Sequence, residues 1–259
     1  MATAARIVPW LRGAHWLGEG WQLFRVAPLG WIALVLAYWV LMAVVSVLPL
    51  VGIAAASVLV PPFAVGFMAV SRAAAMRAPV TLPLLFSGFR EHLGAQLSLG
   101  GVYLVCLVLL FAATALADGG ALAHWMLSGE RPDAALLESG AFFRAMATAV
   151  ALYVPVMMVF WFAPVLVAWH GVGAAKALFF SFVACLINWR AFIAYGAVTL
   201  LMTVVAPLLG LSALLYASGG ALRTQAISLL FPLILVMLPT LLASFYVSYR
   251  DVFGNPSGV

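Results

Sequence analysis

LYVPVMMVFWFAPVLVAWHGVGAAKALFFSFVACLINWR, residues 152–190, is the stretch whose reading decides the fold. It stays largely apolar, with Pro155 and Pro164 inside it, and meets no Lys or Arg before Lys176. Trp169-His170-Gly171 marks a sharp exit, because a glycine just past an apolar run commonly ends a helix. Residues 173–189 then read as a helix lying along a membrane surface, and Asn188-Trp189-Arg190 opens the next apolar run. One crossing, one surface helix and the start of another crossing make up the unit.

Composition says why the surroundings must be lipid. Hydrophobic residues make up 67% of the chain and charged ones 7%, where a soluble domain carries about 25% charged. So few charges cannot build a water-facing surface, so most of the surface faces hydrocarbon. There the backbone must satisfy its own hydrogen bonds, which leaves helices or closed barrels. The apolar runs are long and do not alternate with polar residues, so an all-α polytopic protein is predicted and a barrel is excluded. The net charge of +5 does not point to nucleic acid, because the bases sit singly at the ends of apolar runs. Cys106 and Cys185 form no CxxC and read as small apolar fillers.

Working outward from the opening stretch, residues 4–26 are too long for the charged leader of a signal peptide. Trp10, Ala14, Leu17, Trp21 and Phe24 recur at steps of four and three, with Arg12, His15 and Glu19 on another face. That predicts an amphipathic surface helix. Crossings follow at about 29–50 and 51–76, punctuated only by Pro49 to Gly52, with Pro61-Pro62 kinking the second. Residues 80–93 are predicted as a second surface helix and 93–116 as the third crossing. Between Asp118 and Gly140 lies the longest polar segment, with four of the seven acids. Further crossings are expected at about 145–169, 191–216 and 226–248, the fifth and sixth joined by a loop with Ser218-Gly219-Gly220 and Arg223.

Six crossings place both termini on one side. That side carries Arg6, Arg12, Arg25, Arg72, Arg77, Arg90, Lys176, Arg190 and Arg250, and the other Arg131, Arg144 and Arg223. The excess predicts that both termini are cytoplasmic.

The even-numbered crossings align on a late proline: Pro62, Pro164 and Pro239, each followed by an apolar stretch and a base at Arg72, Lys176 and Arg250. Arg25, Arg90 and Arg190 close the predicted surface helices. Three pseudo-repeats of surface helix, crossing, crossing are expected, at about 4–78, 80–171 and 173–251, within a single membrane domain.

WLGEGWQLFRVAPLGW, FWFAPVLVAWHGVGAAKALFFSFVACLINWRAF and SFYVSYRDVF resemble a family of uncharacterised integral membrane proteins from beta-proteobacteria. More distantly the layout is similar to YciC-type proteins and to the membrane domain fused to some glycerophosphodiester phosphodiesterases. The resemblance implies a fold and an inner-membrane location, and brings no catalytic residues with it.

Chemistry leaves few marks. An intramembrane serine protease needs a serine nucleophile with a histidine in reach, yet Ser218 sits in a predicted loop and the last two crossings hold no histidine. Aspartyl chemistry needs paired aspartates, and Asp118 is alone in the sequence of its helix end. No HExxH or EExxxR pattern supplies a metal site. His15, His92 and His170 could converge at one boundary, but each suits an interfacial histidine. No cofactor or metal is expected. Coupled transport needs an ionisable residue near the midplane; the spans offer only hydroxyls such as Ser46, Thr148, Tyr153, Thr199 and Thr203. The kinked helices keep a solute or lipid path open as an alternative.

The expectation is therefore a non-enzymatic membrane protein, a lipid-associated scaffold or an accessory subunit of a membrane complex. Its partners would be membrane lipids or another membrane protein. Candidate contacts to lipid headgroups or a partner are Arg25, Arg72, Arg90, Lys176, Trp189, Arg190 and Arg250. A side-chain-filled interior would favour the scaffold, and a polar cavity between the kinked crossings the transporter.

Overall fold

A computed structural model describes residues 5–48, 51–130, 134–219 and 226–254. Arg131, Gly220 and Arg223, which enter the charge and loop readings, lie outside the described residues, as do Pro49 and Leu50 of the first hairpin. The chain forms α1 (Trp10–Phe24), α2 (Pro28–Val45), α3 (Val51–Ala75), α4 (Leu82–Leu85), a 3-10 turn at Ser87–Phe89, α5 (Leu93–Asp118), α6 (Ala121–Ser128) and α7 (Ala134–Glu138). It continues as α8 (Ala141–Phe160), α9 (Ala163–His170), α10 (Ala174–Ile187), α11 (Trp189–Leu200), a π turn at Leu201–Val205, α12 (Ala206–Ala217) and α13 (Ala226–Phe253).

Among the described residues six segments are long and apolar enough to cross a membrane: Pro28–Val45, Val51–Ala75, Leu93–Asp118, Ala141–His170, Trp189–Ala217 and Phe231–Phe253. The protein is an all-α polytopic membrane protein. The backbone N–H of Arg6 donates to the carbonyl of Val252 at 2.8 Å, so the first and last described segments lie at one end of the bundle, the terminal end.

Each even-numbered crossing changes character at its late proline. In α3, residues 51–60 are mostly exposed or half-buried, and from Pro61 to Ala74 nearly all are buried. Residues 150–157 of α8 are largely exposed, whereas Phe162 to Ala168 are all buried. In α13 the described positions before Pro239 are exposed or half-buried, and from Pro239 onward Thr240, Ala243, Ser244, Tyr246, Val247 and Tyr249 are buried. The three post-proline segments meet as the core, while the pre-proline segments splay toward lipid. Kinks at proline are what let one helix serve both purposes.

The fourth crossing is broken by more than its proline. In an uninterrupted helix the N–H of Phe162 would bond to the carbonyl of Met158, four residues back. Ser181 of α10 stands between them instead: its Oγ accepts from the Phe162 N–H at 2.9 Å and donates to the Met158 carbonyl at 2.8 Å. At the far end, Gly171 adopts a left-handed φ of 62°. Its N–H bonds to Val167 and that of Val172 to Leu166, closing the helix as the sequence expects at this exit.

Two of the expected surface helices differ from their sequence reading. Residues 80–93 form only the four residues of α4 and the 3-10 turn. The reason is close packing: a Cβ on Gly66 of α3 would meet the Leu85 carbonyl, so the segment is pressed onto α3 rather than laid out as a helix. In α1 the buried face is Gly13, Trp16, Leu17, Gly20 and Phe24, and Trp10 and Trp21 are exposed. Of the apolar set Trp10, Ala14, Leu17, Trp21 and Phe24, Leu17 and Phe24 are buried against protein, and α1 packs between α11 and α13 through its glycines. A Cβ on Gly13 would collide with the Ala191 carbonyl. Such small-residue contacts are how helices approach closely in membranes. The third, α10, packs along α8 and α9 with Ala177, Ser181, Ala184 and Cys185 buried.

Candidate functional site

Two features could bear on function: a charged and aromatic cluster at the terminal end, and a cavity where the crossings kink.

The cluster joins the chain's two extremities. Arg12 pairs with Asp251 at 2.6 Å and with Glu19 at 2.8 Å, and Arg250 pairs with Glu19 at 2.6 Å. The Trp16 indole, fully buried, donates to Asp251 Oδ2 at 3.0 Å. Burial alone lowers the Arg12 pKa, but hydrogen bonds to Asp251 and Glu19 outweigh it and hold the guanidinium above its ordinary value. Two acids and two bases close on one another, which suits fastening more than catalysis. The periodicity of α1 placed Arg12 and Glu19 on one face; their partners at positions 250 and 251 could not be read from it.

Next to this cluster, Arg72 lies 5.6 Å above the Trp169 ring. His170 Nε2 is 2.6 Å from the Tyr249 hydroxyl, and Trp169 packs edge-on to Tyr249. Thus Arg72 and Arg250, both candidate contact residues, are engaged in the core of the terminal end. Arg25, Arg90, Lys176, Trp189 and Arg190 are exposed, Arg25 and Arg90 just past the ends of α1 and the 3-10 turn and the others at the starts of α10 and α11, with Arg190 over the Trp189 ring at 5.4 Å. The seven candidates therefore divide into an inner pair and an outer set and do not form one site.

The four histidines do not gather into one group. His15 bonds to the Leu11 carbonyl of its own helix, and His124 to Glu130. His92 stands beside Gly171, one residue from His170. Among the described residues no three His, Cys, Asp or Glu side chains gather as a metal site would. Asp118 caps the following helix, its two oxygens accepting from the N–H groups of Gly120 and Leu122 at 2.9 and 2.7 Å. Thr148 and Thr203 bond to carbonyls within their own helices, as intramembrane hydroxyls commonly do.

The cavity, about 330 Å³ and partly open to the surroundings, is lined by α2, α3, α13 and the break between α8 and α9. Phe63, Ala64, Pro164, Leu242 and Phe245 contribute to its wall, with Trp161 at the break. A second space of about 220 Å³ shares Val60, Ala64, Trp161, Pro164 and Phe245 with it and ends at Tyr103 and Tyr153. The hydroxyls of these two tyrosines are 3.3 Å apart. Apart from tyrosine hydroxyls and tryptophan N–H groups, both walls present apolar side chains, and the Trp161 N–H already donates to Ser248 at 3.1 Å. The interior is neither filled by side chains nor polar; the sequence-level alternatives did not include this outcome.

A probable inner membrane protein of Burkholderia thailandensis is 41% identical over 250 residues, which cover 93% of this chain and 91% of that protein. This chain belongs to that protein's family. No family model matches the chain, and no solved structure matches it. The alignment spans nearly the whole chain and not one shared segment.

Proposed function

We propose that the protein is a non-enzymatic inner-membrane protein that associates with lipid and serves as a scaffold or accessory subunit. The observation that carries this reading is the outer set at the terminal end. Exposed Trp10, Trp21 and Trp189 stand with exposed Arg25, Arg90, Lys176 and Arg190 at or near helix ends. Aromatic rings and bases in that arrangement suit the headgroup layer of a leaflet with anionic lipids. The excess of bases supports placing this end, with both termini, in the cytoplasm.

The packing also supports the three pseudo-repeats. The 3-10 turn after α4 lies on α3, α10 lies on α8 and α9, and α1 lies on α13. Each leading segment thus packs on the even crossing of the unit before it, and the first closes on the last. A distant kinship of layout with YciC-type proteins and the glycerophosphodiester phosphodiesterase membrane domain is part of the same proposal.

A lipid or small-solute transporter is the second reading, and the central cavity favours its lipid form, because a polar solute would find few partners along that wall. Native mass spectrometry of the protein released from its own membrane distinguishes the readings. A retained protein subunit is expected for the accessory role. Release of a bare chain with neither lipid nor protein attached would overturn it.

A further inference from the structure

We infer that the cavity at the kinks is a receiving site for one hydrocarbon chain of a membrane phospholipid, entered between α5 and α8 past Tyr103 and Tyr153. The inference rests on the lipid-associated reading above and names where inside the protein the lipid is held.

The cavity lies among the membrane-spanning segments. At about 330 Å³ it reaches the size range of small-molecule sites, roughly 300–1,000 Å³. Water needs two to four polar partners to be held in such a space, and this wall offers almost none. A second copy of the chain is too large, because a helix with its side chains is about 10–12 Å across. A single acyl chain has the required slenderness, has the required polarity, and surrounds the protein on all sides.

The route is continuous in its lining residues. Beyond the two tyrosines a crevice of about 470 Å³ opens between α5, α6 and α8, walled by Leu107, Leu110, Trp125 and Met146 and again by Tyr103 and Tyr153. Tyr153, Val154 and Met157 of α8 are exposed to the surroundings. The tyrosine pair therefore belongs both to the outer crevice and to the 220 Å³ space that adjoins the inner cavity. The inner end is blind: the buried segments of α3, α9 and α13 close it toward the terminal end. A chain that enters stops there, which suits holding a lipid rather than passing it through.

Ala64 is the position at which to test this, because it lines both the inner cavity and the adjoining space. The protein is placed in nanodiscs of phospholipid carrying a photoreactive diazirine at mid-chain, irradiated and mapped by peptide mass spectrometry. Cross-links are expected on the inner-wall peptides containing Phe63, Ala64, Leu242 and Phe245, as well as on the exposed faces. Ala64→Phe, and the milder Ala64→Leu, should lose the inner-wall cross-links while those at exposed Val44 and Leu109 persist, which also certifies the fold. Inner-wall cross-links that are missing in the wild type, or unchanged in both variants, overturn the proposal. Should inner-wall labelling fail while native mass spectrometry still retains lipid, only the internal site is lost and the lipid-associated reading stands.

Discussion

Arg12 and Asp251, 239 positions apart, meet through two hydrogen bonds that end on the same carboxylate oxygen, 2.8 Å from Nε and 2.6 Å from Nη2. The Trp16 N–H reaches that oxygen too, at 3.0 Å. This one oxygen ties the first helix to the last and so closes the ring of packed segments.

Removing it should loosen the closure. The Asp251 side chain is 12% exposed and that of Arg12 36%, so the pair lies between a surface bridge and a buried one. Asp251→Ala is expected to cost about 2 kcal/mol and to lower the melting temperature of the purified protein in nanodiscs. A double-mutant cycle with Arg12→Ala should show coupling between the two, since they share the bond. Melting indistinguishable from wild type would mean the pair contributes no net stability.

Close approach of backbones gives a sharper contrast within a single helix. A Cβ at Gly13 would collide with the Ala191 carbonyl, and nothing lies within 4 Å of one at Gly18. Gly13→Ala must push α1 away from α11 and is expected to destabilise strongly. Gly18→Ala should be neutral or gain up to about 1 kcal/mol from helix propensity. Thermal unfolding of the two variants decides it, and equal effects would contradict the packing of α1 described above.

The six crossings were legible because length and apolarity alone dictate them in lipid. Pro62, Pro164 and Pro239 were legible as kinks, but what they divide was not. The residues before and after each proline are equally apolar, so burial against protein and exposure to lipid look alike in sequence. For the same reason the packed face of α1 was not legible: Trp10 and Trp21 are exposed, as suits a headgroup layer, while that face is built on Gly13 and Gly20, which carry no hydrophobic signal. Residues 80–93 failed as a helix because Gly66 admits them against α3, a contact between distant positions. The kinked crossings marked where the central cavity lies, but its apolar character left no sequence signal, since its wall residues resemble any other lipid-depth side chains.

Ser181 gives a third test. Its hydroxyl satisfies both groups freed where the fourth crossing breaks, the Phe162 N–H and the Met158 carbonyl. Ser181→Ala leaves two buried backbone groups unpaired unless the helix straightens, at a cost of about 1–3 kcal/mol. Straightening would carry Trp161 out of the cavity wall, so a shift in tryptophan emission should accompany the lower melting temperature. Ser181→Ala with unchanged stability and emission would show that the break is held by Pro164 alone.

Cys185 reports on the same helix from another side. It shares the buried face of α10 with Ser181 and is a free thiol. Burial pushes its pKa well above the ordinary value of 9.0, so the reactive thiolate is scarce in the folded protein. A thiol raised in this way favours the folded state below its unfolded pKa, and that contribution is lost as pH rises toward the folded value. In a Cys106→Ala background, maleimide labelling of Cys185 should therefore be far slower in the folded protein than in denaturant, at neutral pH and at pH about 9 alike. Combining it with Ser181→Ala is expected to speed labelling, because the bond that docks α10 on the broken crossing is gone. Labelling of the folded protein at the unfolded rate would mean that α10 opens freely, and the packing that shapes the cavity wall would have to be abandoned.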